Sequence, residues 1–318
     1  MNDDFSDQTS QKPVPALRFI KGIFRKKLFV AVAGTAVCIT GILFVYPFFL
    51  TGKSSDQSGE QTGFHAGSAE KLKVMTLNIA HGRGTGPHQI RQDESDFRLN
   101  LDRTARLIKR ENPAVAALQE ADGSSFWSGN FNHVAYLVEK TGYPCFFRGE
   151  HVRGLGLSYG TAFISGIKLR DSVSVTFTPS GWTPPKGFVK CRIASPWKRD
   201  LFIDIVSVHL DFSRSSVRKK QAGELITFLS GTGSPVIVMG DFNCSFTGRE
   251  DTLRTFIKAL DLKAYKPEHE EMATFPRTGK RLDWILISKE LDFVSYSVLP
   301  DPVSDHFGVI AEVRFLPQ

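Results

Sequence analysis

The sequence predicts an α/β fold from residue 71 to the C-terminus. Two observations carry that expectation. Short runs rich in Val, Ile and Leu alternate with stretches of helical period. Six of the apolar runs border a polar signature: Asn78 in MTLNIAHGRG, Glu120 in AVAALQE, His209 in DIVSVHLD, Asp241 and Asn243 in VIVMGDFN, Asp283 in RLDWILIS, and Asp305–His306 in SDHFGVI. Open α/β sheets gather their functional groups at strand ends, so six such sites suggest one shared cleft. With 318 residues and 41% hydrophobic content, the chain can bury one large core and carry appendages.

Residues 1–17 are polar and suit disorder, and the tail to residue 27 is basic. Residues 28–50, LFVAVAGTAVCITGILFVYPFFL, carry no charge. As a helix they would span roughly 34 Å, enough to cross a bilayer. The stretch is too long for the apolar part of a signal peptide, and no A-x-A site follows it. Arg18, Lys21, Arg25, Lys26 and Lys27 precede it, and only Lys53 follows closely. That bias predicts a single-pass anchor in the cytoplasmic membrane, with the N-terminus inside and residues 71–318 outside the cytoplasm. Residues 51–70, rich in Gly, Ser and Gln, read as a flexible linker with a root-mean-square reach of about 25 Å.

Strands are expected at 71–79 and 114–119. Between them, HGRGTGPHQIRQD (81–93) is a glycine-rich loop that could wrap a phosphate through backbone N–H groups. Residues 95–110 form an amphipathic helix with Phe97, Leu101, Ala105 and Ile108 near one face, ended by Asn112–Pro113. A second helix is expected at 129–141, then strand-rich segments from 143 to 209. Within these, WTPPKGF (182–188) reads as a packed turn or as a loop that dips into a lipid interface. The helix at 214–230 carries Arg214, Arg218, Lys219 and Lys220, read as a solvated basic face. Further strands fall at 235–240, 283–288, 292–299 and 307–313.

The net charge of +7 divides into +1 from residues 1–70 and +6 from residues 71–318. That excess suits an anionic substrate or membrane surface and is too small to argue for nucleic acid alone. Cys145 and Cys191 could pair in an oxidising compartment, Cys244 follows GDFN, and Cys38 lies in the apolar segment; no zinc spacing is present.

The strand-end set holds four carboxylates, two amides and two imidazoles. Such groups can bind a hard divalent metal, orient a histidine and hold a phosphate. Each alone has a plainer reading: Asn78 as a turn residue, Asp241–Asn243 as a helix cap, Asp305 as loop, His209 as a bonded core histidine. Asp283 in so apolar a run needs a partner. His81, His88, His133, His151 and His269 belong to no such motif and read as surface or structural, with His81 the exception if its closeness to the Asn78 strand brings it to the site.

In this order and spacing, the six signatures resemble the endonuclease/exonuclease/phosphatase superfamily of deoxyribonuclease-I-like phosphoesterases, and YGTAFISGIKL (159–169) is similar to its core strand. The resemblance covers about residues 71–318 and implies a four-layer αββα sandwich with two mixed β-sheets. It implies a metal site of Glu120, Asn78 and Asp305 for Mg²⁺, with Mn²⁺ as an alternative. Asp241 and Asn243 would position the attacking water, with Asp283 orienting a catalytic His306. Asn78, His209 and Asn243 would contact the phosphate. Either Asp241 or the Asp283–His306 pair would take the proton. The anchor favours a lipid or lipid-headgroup phosphoester. A nuclease acting on extracytoplasmic DNA is the first alternative and an inactive binding module the second; no protein partner is expected.

Overall fold

The structure is a computed structural model that describes residues 55–58, 71–198, 200–269 and 271–316. The apolar segment 28–50 and most of the linker lie outside the described residues, among which no helix is long and apolar enough to cross a membrane.

Two sheets stack face to face. The first contains β1 (Ser55–Ser58), β2 (Leu72–Asn78), β3 (Val115–Asp122), β4 (Cys145–Arg148), β5 (Val152–Gly154), β6 (Leu157–Ser165), β13 (Leu291–Leu299) and β14 (Gly308–Phe315). Its order is β1-β4-β6-β3-β2-β14-β13, with β5 hairpinned onto β6. The second contains β7 (Arg170–Thr176), β8 (Gly187–Ala194), β9 (Phe202–His209), β10 (Val236–Asp241), β11 (Leu262–Ala264) and β12 (Asp283–Ser288), in the order β11-β12-β10-β9-β8-β7. The pairs β2/β3 and β9/β10 are parallel and the others antiparallel, so both sheets are mixed.

Three apolar layers hold the fold. Val74, Ala117, Phe163, Val189, Ile205, Met239, Ile285 and Val309 interleave between the sheets. Helices α1 (Glu94–Glu111) and α2 (His133–Thr141) cover the outer face of the first sheet through Leu101, Ile108, Val134 and Leu137. Helices α3 (Ser215–Leu229) and α4 (Thr252–Ala259) cover the second through Leu225, Leu229, Leu253 and Phe256. The result is an αββα sandwich.

Local chemistry explains the boundaries. Asp93 caps α1: its carboxylate accepts the Asp96 N–H while Asp96 accepts the Asp93 N–H. Asn112 closes the helix in the left-handed region at φ 46° before Pro113 blocks continuation. Cys145, Cys191 and Cys244 are buried thiols, and Cys191 approaches Ser172 Oγ at 3.3 Å.

Candidate active site

Sheet register brings the polar signatures to one end of the sandwich. Asn78 is the last residue of β2, His209 of β9 and Asp241 of β10. Asp241 pairs in register with His209 on one side and with Asp283, the first residue of β12, on the other. Asp283 and the Asp305–His306 pair therefore stand at strand starts, because β12 and β14 run antiparallel to their neighbours.

Glu120 departs from the expected strand end. It sits inside β3 on a bulge between Gln119 and Ala121, at φ 51°, and the extra residue turns its carboxylate into the cleft. Beneath it, Gln119 Nε2 donates to Thr76 Oγ1 at 3.1 Å and to Ser207 Oγ at 3.0 Å, a buried polar link between the sheets.

A chain of contacts joins the centre. Asn78 Nδ2 donates to Asp241 Oδ2 at 3.1 Å, and Asn78 Oδ1 accepts the Ala80 N–H. Asp241 Oδ1 accepts the Asn243 N–H at 2.9 Å, and Asn243 Nδ2 donates to Leu210 O. His209 Nε2 lies 3.4 Å and His306 Nε2 3.9 Å from Asp241 Oδ2. His306 Nδ1 is 2.8 Å from Asp283 Oδ2, which also accepts the Thr274 hydroxyl at 2.6 Å. Asp283 thus has the partner that its apolar strand demanded.

The charges follow from burial and neighbours. Burial opposes a charged His306, but Asp283 and Asp241 outweigh it and push the pKa up to about 10. Burial and the nearby Asp283 push the Asp241 carboxyl up to about 7, against the pull of His306. Burial and the Lys186 ammonium hold His209 well below its ordinary value, so that ring is neutral. Burial would raise Glu120, but His81, Lys186 and Arg83 together hold it far below the usual carboxylate range.

His81, Arg83 and Lys186 carry no strand-end signature in the sequence. His81, whose closeness to the Asn78 strand made it the exception among the motif-free histidines, is buried in the cleft with Nε2 3.3 Å from Glu120 and Nδ1 2.6 Å from Asp122. The Arg83 guanidinium bridges Glu120, at 3.5 Å, and Asp305. Lys186 is buried, with Nζ 3.2 Å from His209 Nε2 and 3.9 Å from Glu120. The glycine-rich loop thus lends side chains to the cleft, and its Gly82 and Gly84 pack against His133 and Asn100. The Pro-rich loop buries Thr183 and Lys186 and leaves Trp182 exposed. Arg218, expected on a solvated face, is buried and gripped by Glu250 through Nε at 2.9 Å. His133 and His151 are buried and structural, while His88 and His269 are exposed.

The cleft encloses about 720 Å³. Asn78, Glu120, His209, Asp241, Asn243, Asp305 and His306 line it, and so do Arg249, Arg277 and Lys280. Carboxylates at two places meet the requirements of a cation. Asp241, Asp283 and His306 offer ligand atoms within 4.8 Å of one another, but the positive His306 ring already balances these carboxylates. Glu120 and Asp305 face each other across the Arg83 guanidinium, a cation the protein itself sets between them, and their all-oxygen chemistry fits a hard divalent ion.

The endonuclease/exonuclease/phosphatase family profile matches residues 75–306. No curated protein matches the sequence. Among solved structures, an endonuclease/exonuclease/phosphatase from Beutenbergia cavernae superposes with a TM-score of 0.62 at 19% identity, covering 77% of this chain and 72% of that one. The human Nocturnin catalytic domain with bound sulfate gives 0.55 at 20% identity, over 83% and 97%. A mannosyl-6-phosphatase from Bacteroides thetaiotaomicron gives 0.56 at 16% identity, over 77% and 100%. At such identities these structures speak for the fold, and the profile, which spans most of the chain, speaks for descent: the protein belongs to the endonuclease/exonuclease/phosphatase family of metal-dependent phosphoesterases.

Proposed function

We propose that the protein is a membrane-anchored hydrolase of a lipid or lipid-headgroup phosphoester, acting outside the cytoplasm with Mg²⁺, for which Mn²⁺ can substitute. The observation that supports this most is the unbroken chain Asn78–Asp241–His306–Asp283 beside Glu120 and Asp305. Glu120 and Asp305, with Asn78, would hold the metal, which supplies polarisation of a phosphate oxygen and neutralises the leaving oxygen.

The other roles follow from charge. Asn243 and Asp241 position the attacking water. Asp241, with a pKa near 7, takes its proton as the water oxygen bonds to phosphorus and the P–O bond to the leaving group breaks. His306, held charged by Asp283, faces the negative charge that gathers on the phosphoryl oxygens. Neutral His209 donates a hydrogen bond to the phosphate, and Lys186 adds positive charge beside it.

The lipid preference is supported by the uncharged stretch 28–50 and the short linker after it, which would hold the cleft near a bilayer. The lysines and arginines before that stretch support an N-terminus inside the cytoplasm. Arg249, Arg277 and Lys280 on the cleft wall favour a second reading, hydrolysis of a nucleic acid backbone.

The experiment is a substrate panel for the full-length protein, stripped with chelator and then given Mg²⁺ or Mn²⁺. We expect metal-restored release of phosphorylated headgroup or inorganic phosphate from lipid vesicles, well above cleavage of duplex DNA. Ready DNA cleavage with a steep salt dependence and inert lipids would favour the nuclease. Turnover that survives chelation would refute the metal requirement.

A further inference from the structure

We propose that the mouth of the cleft is a docking face for a bilayer containing anionic lipid, formed by five apolar side chains on separate loops. This deepens the lipid-phosphoester reading above and rests on it for its purpose. Among the described residues, the five most exposed large hydrophobic side chains are Ile90, Phe126, Leu155, Trp182 and Phe212, at 55–84% exposure; Leu99, Phe228 and Val294 follow at 37–49%. All five lie in loops or short turns, and the segments of Ile90 and Phe212 line the cleft directly.

The contacts place them in two groups. The turn Gln89–Arg91 packs on the turn Phe126–Ser128, and the Phe126 N–H donates to Gly156 O at the tip of the β5–β6 hairpin that carries Leu155. Ile90, Phe126 and Leu155 therefore share one side. On the other side, Thr183 bonds to Asp211 and Arg214 Nη2 donates to Ser180 Oγ at 2.6 Å, which ties the Trp182 loop to the Phe212 loop. Pro87 and Gln89 of the first group and Phe212 of the second line the cleft, so the groups flank one opening.

Their surroundings match an anionic interface. Arg91, Arg153 and Arg214 each stand one or two residues from an apolar member. The sole carboxylate within two residues of any of the five is Asp211, which is fully buried and bonded to Thr183 and Ser213. Apolar side chains that enter the acyl boundary, beside arginines at headgroup depth, are the pattern of an interfacial surface. A single-stranded nucleic acid would stack on Trp182 and Phe212, but Ile90 and Leu155 offer no aromatic face to a base, which favours lipid. Seated this way, the protein would hold the cleft, with Asp241 and His306 in it, against the headgroup layer.

The test uses the full-length protein, wild type and Trp182→Phe, in vesicles of brominated phosphatidylcholine mixed with anionic lipid. Brominated chains quench indole on contact, and the difference between the two proteins isolates Trp182 emission. We expect Trp182 to be quenched relative to unbrominated vesicles. Ile90→Ser with Leu155→Ser should cut the quenching at least about twofold, because interfacial affinity scales with buried apolar area. Leu99→Ser with Val294→Ser should leave it unchanged. Unquenched Trp182 in a protein that still hydrolyses a small soluble phosphodiester overturns the docking face and leaves the phosphoesterase standing. Quenching without cleavage of any vesicle phosphoester supports the docking face and overturns the lipid substrate. Quenching by a single-stranded oligonucleotide in place of lipid assigns the face to nucleic acid and overturns the proposal.

Discussion

Asp283 and His306 work as a pair if the carboxylate acts through the ring. One Asp283 oxygen holds His306 Nδ1 and the Thr274 hydroxyl, and its charge is a main reason the ring stays protonated. His306→Ala and Asp283→Ala should each lower kcat by about 10²–10⁴-fold, and the double variant should lose little more than the worse single one. Multiplicative losses in single-turnover assays would show two independent roles. Arg83 allows a second prediction. Its guanidinium lies between Glu120 and Asp305, where it competes with any divalent ion for the same two carboxylates. Arg83→Ala should therefore tighten Mg²⁺ binding by about tenfold, the effect of about 1.4 kcal/mol; weaker binding by calorimetry would mean that Arg83 builds the site. The eight strand-end residues were legible because each follows or opens an apolar run. His81 was legible only through its closeness to the Asn78 strand, and Arg83 and Lys186 were not legible, because they enter from loops whose only signals are glycines and prolines, and those do not say where a side chain points.

Strand pairing sets the distance between His209 and Asp241, and Gly240 makes that pairing possible. Gly240 has φ +146°, and a Cβ there would lie 2.0 Å from Val208 O on the adjacent strand. Gly240→Ala must push β10 off β9 at the Gly240–Val208 step, next to the one where Asp241 meets His209. We expect a loss of about 2–4 kcal/mol in urea unfolding, with activity falling further than the folded fraction. Gly223, exposed within α3 with nothing within 4 Å of its would-be Cβ, should behave oppositely. Gly223→Ala should add about 0.5–1 kcal/mol. A neutral Gly240→Ala would show that β10 can slide without cost.

At this scale the long periodic elements were legible, and the short ones were less so. Helix 95–110 appears as Glu94–Glu111, and the run at 235–240 as Val236–Asp241. Helix α4 went unread although Leu253, Phe256, Ile257 and Leu260 keep helical spacing, because two turns beside a turn-rich stretch give a weak signal. The bulge at Glu120 was invisible, since a pattern of period two does not announce an extra residue.

The two sheets meet over a buried histidine, and that contact should set how the whole molecule responds to acid. His151 Nε2 lies 2.9 Å from Thr161 Oγ1 in the first sheet, and Nδ1 lies 3.4 Å from Thr176 Oγ1 in the second. Burial, with Lys186 and Arg148 nearby, pushes its pKa down to about 3. A depressed pKa means that the folded state holds the neutral ring while the unfolded chain takes a proton near 6.5. Its contribution is complete above pH 6.5 and is lost as pH falls from there towards 3. His209 and His133 are also depressed and act in the same direction. Asp241 opposes them: its raised pKa favours folding as pH falls from 7 towards the ordinary carboxylate range. His306 and His81, both raised, contribute fully below pH 6.5 and lose that contribution only at higher pH, so they leave the acid limb alone. Replacing one group separates these effects. His151→Gln can still bond to the threonines but cannot titrate. Between pH 6.5 and 4.5, wild-type stability should fall more steeply than the variant's by about 1.4 kcal/mol per pH unit, one proton's worth. Urea unfolding of both metal-free proteins across that range, followed by tryptophan emission, measures the difference in slope. Parallel slopes would mean that water reaches His151 and that the seam between the sheets is open to protons.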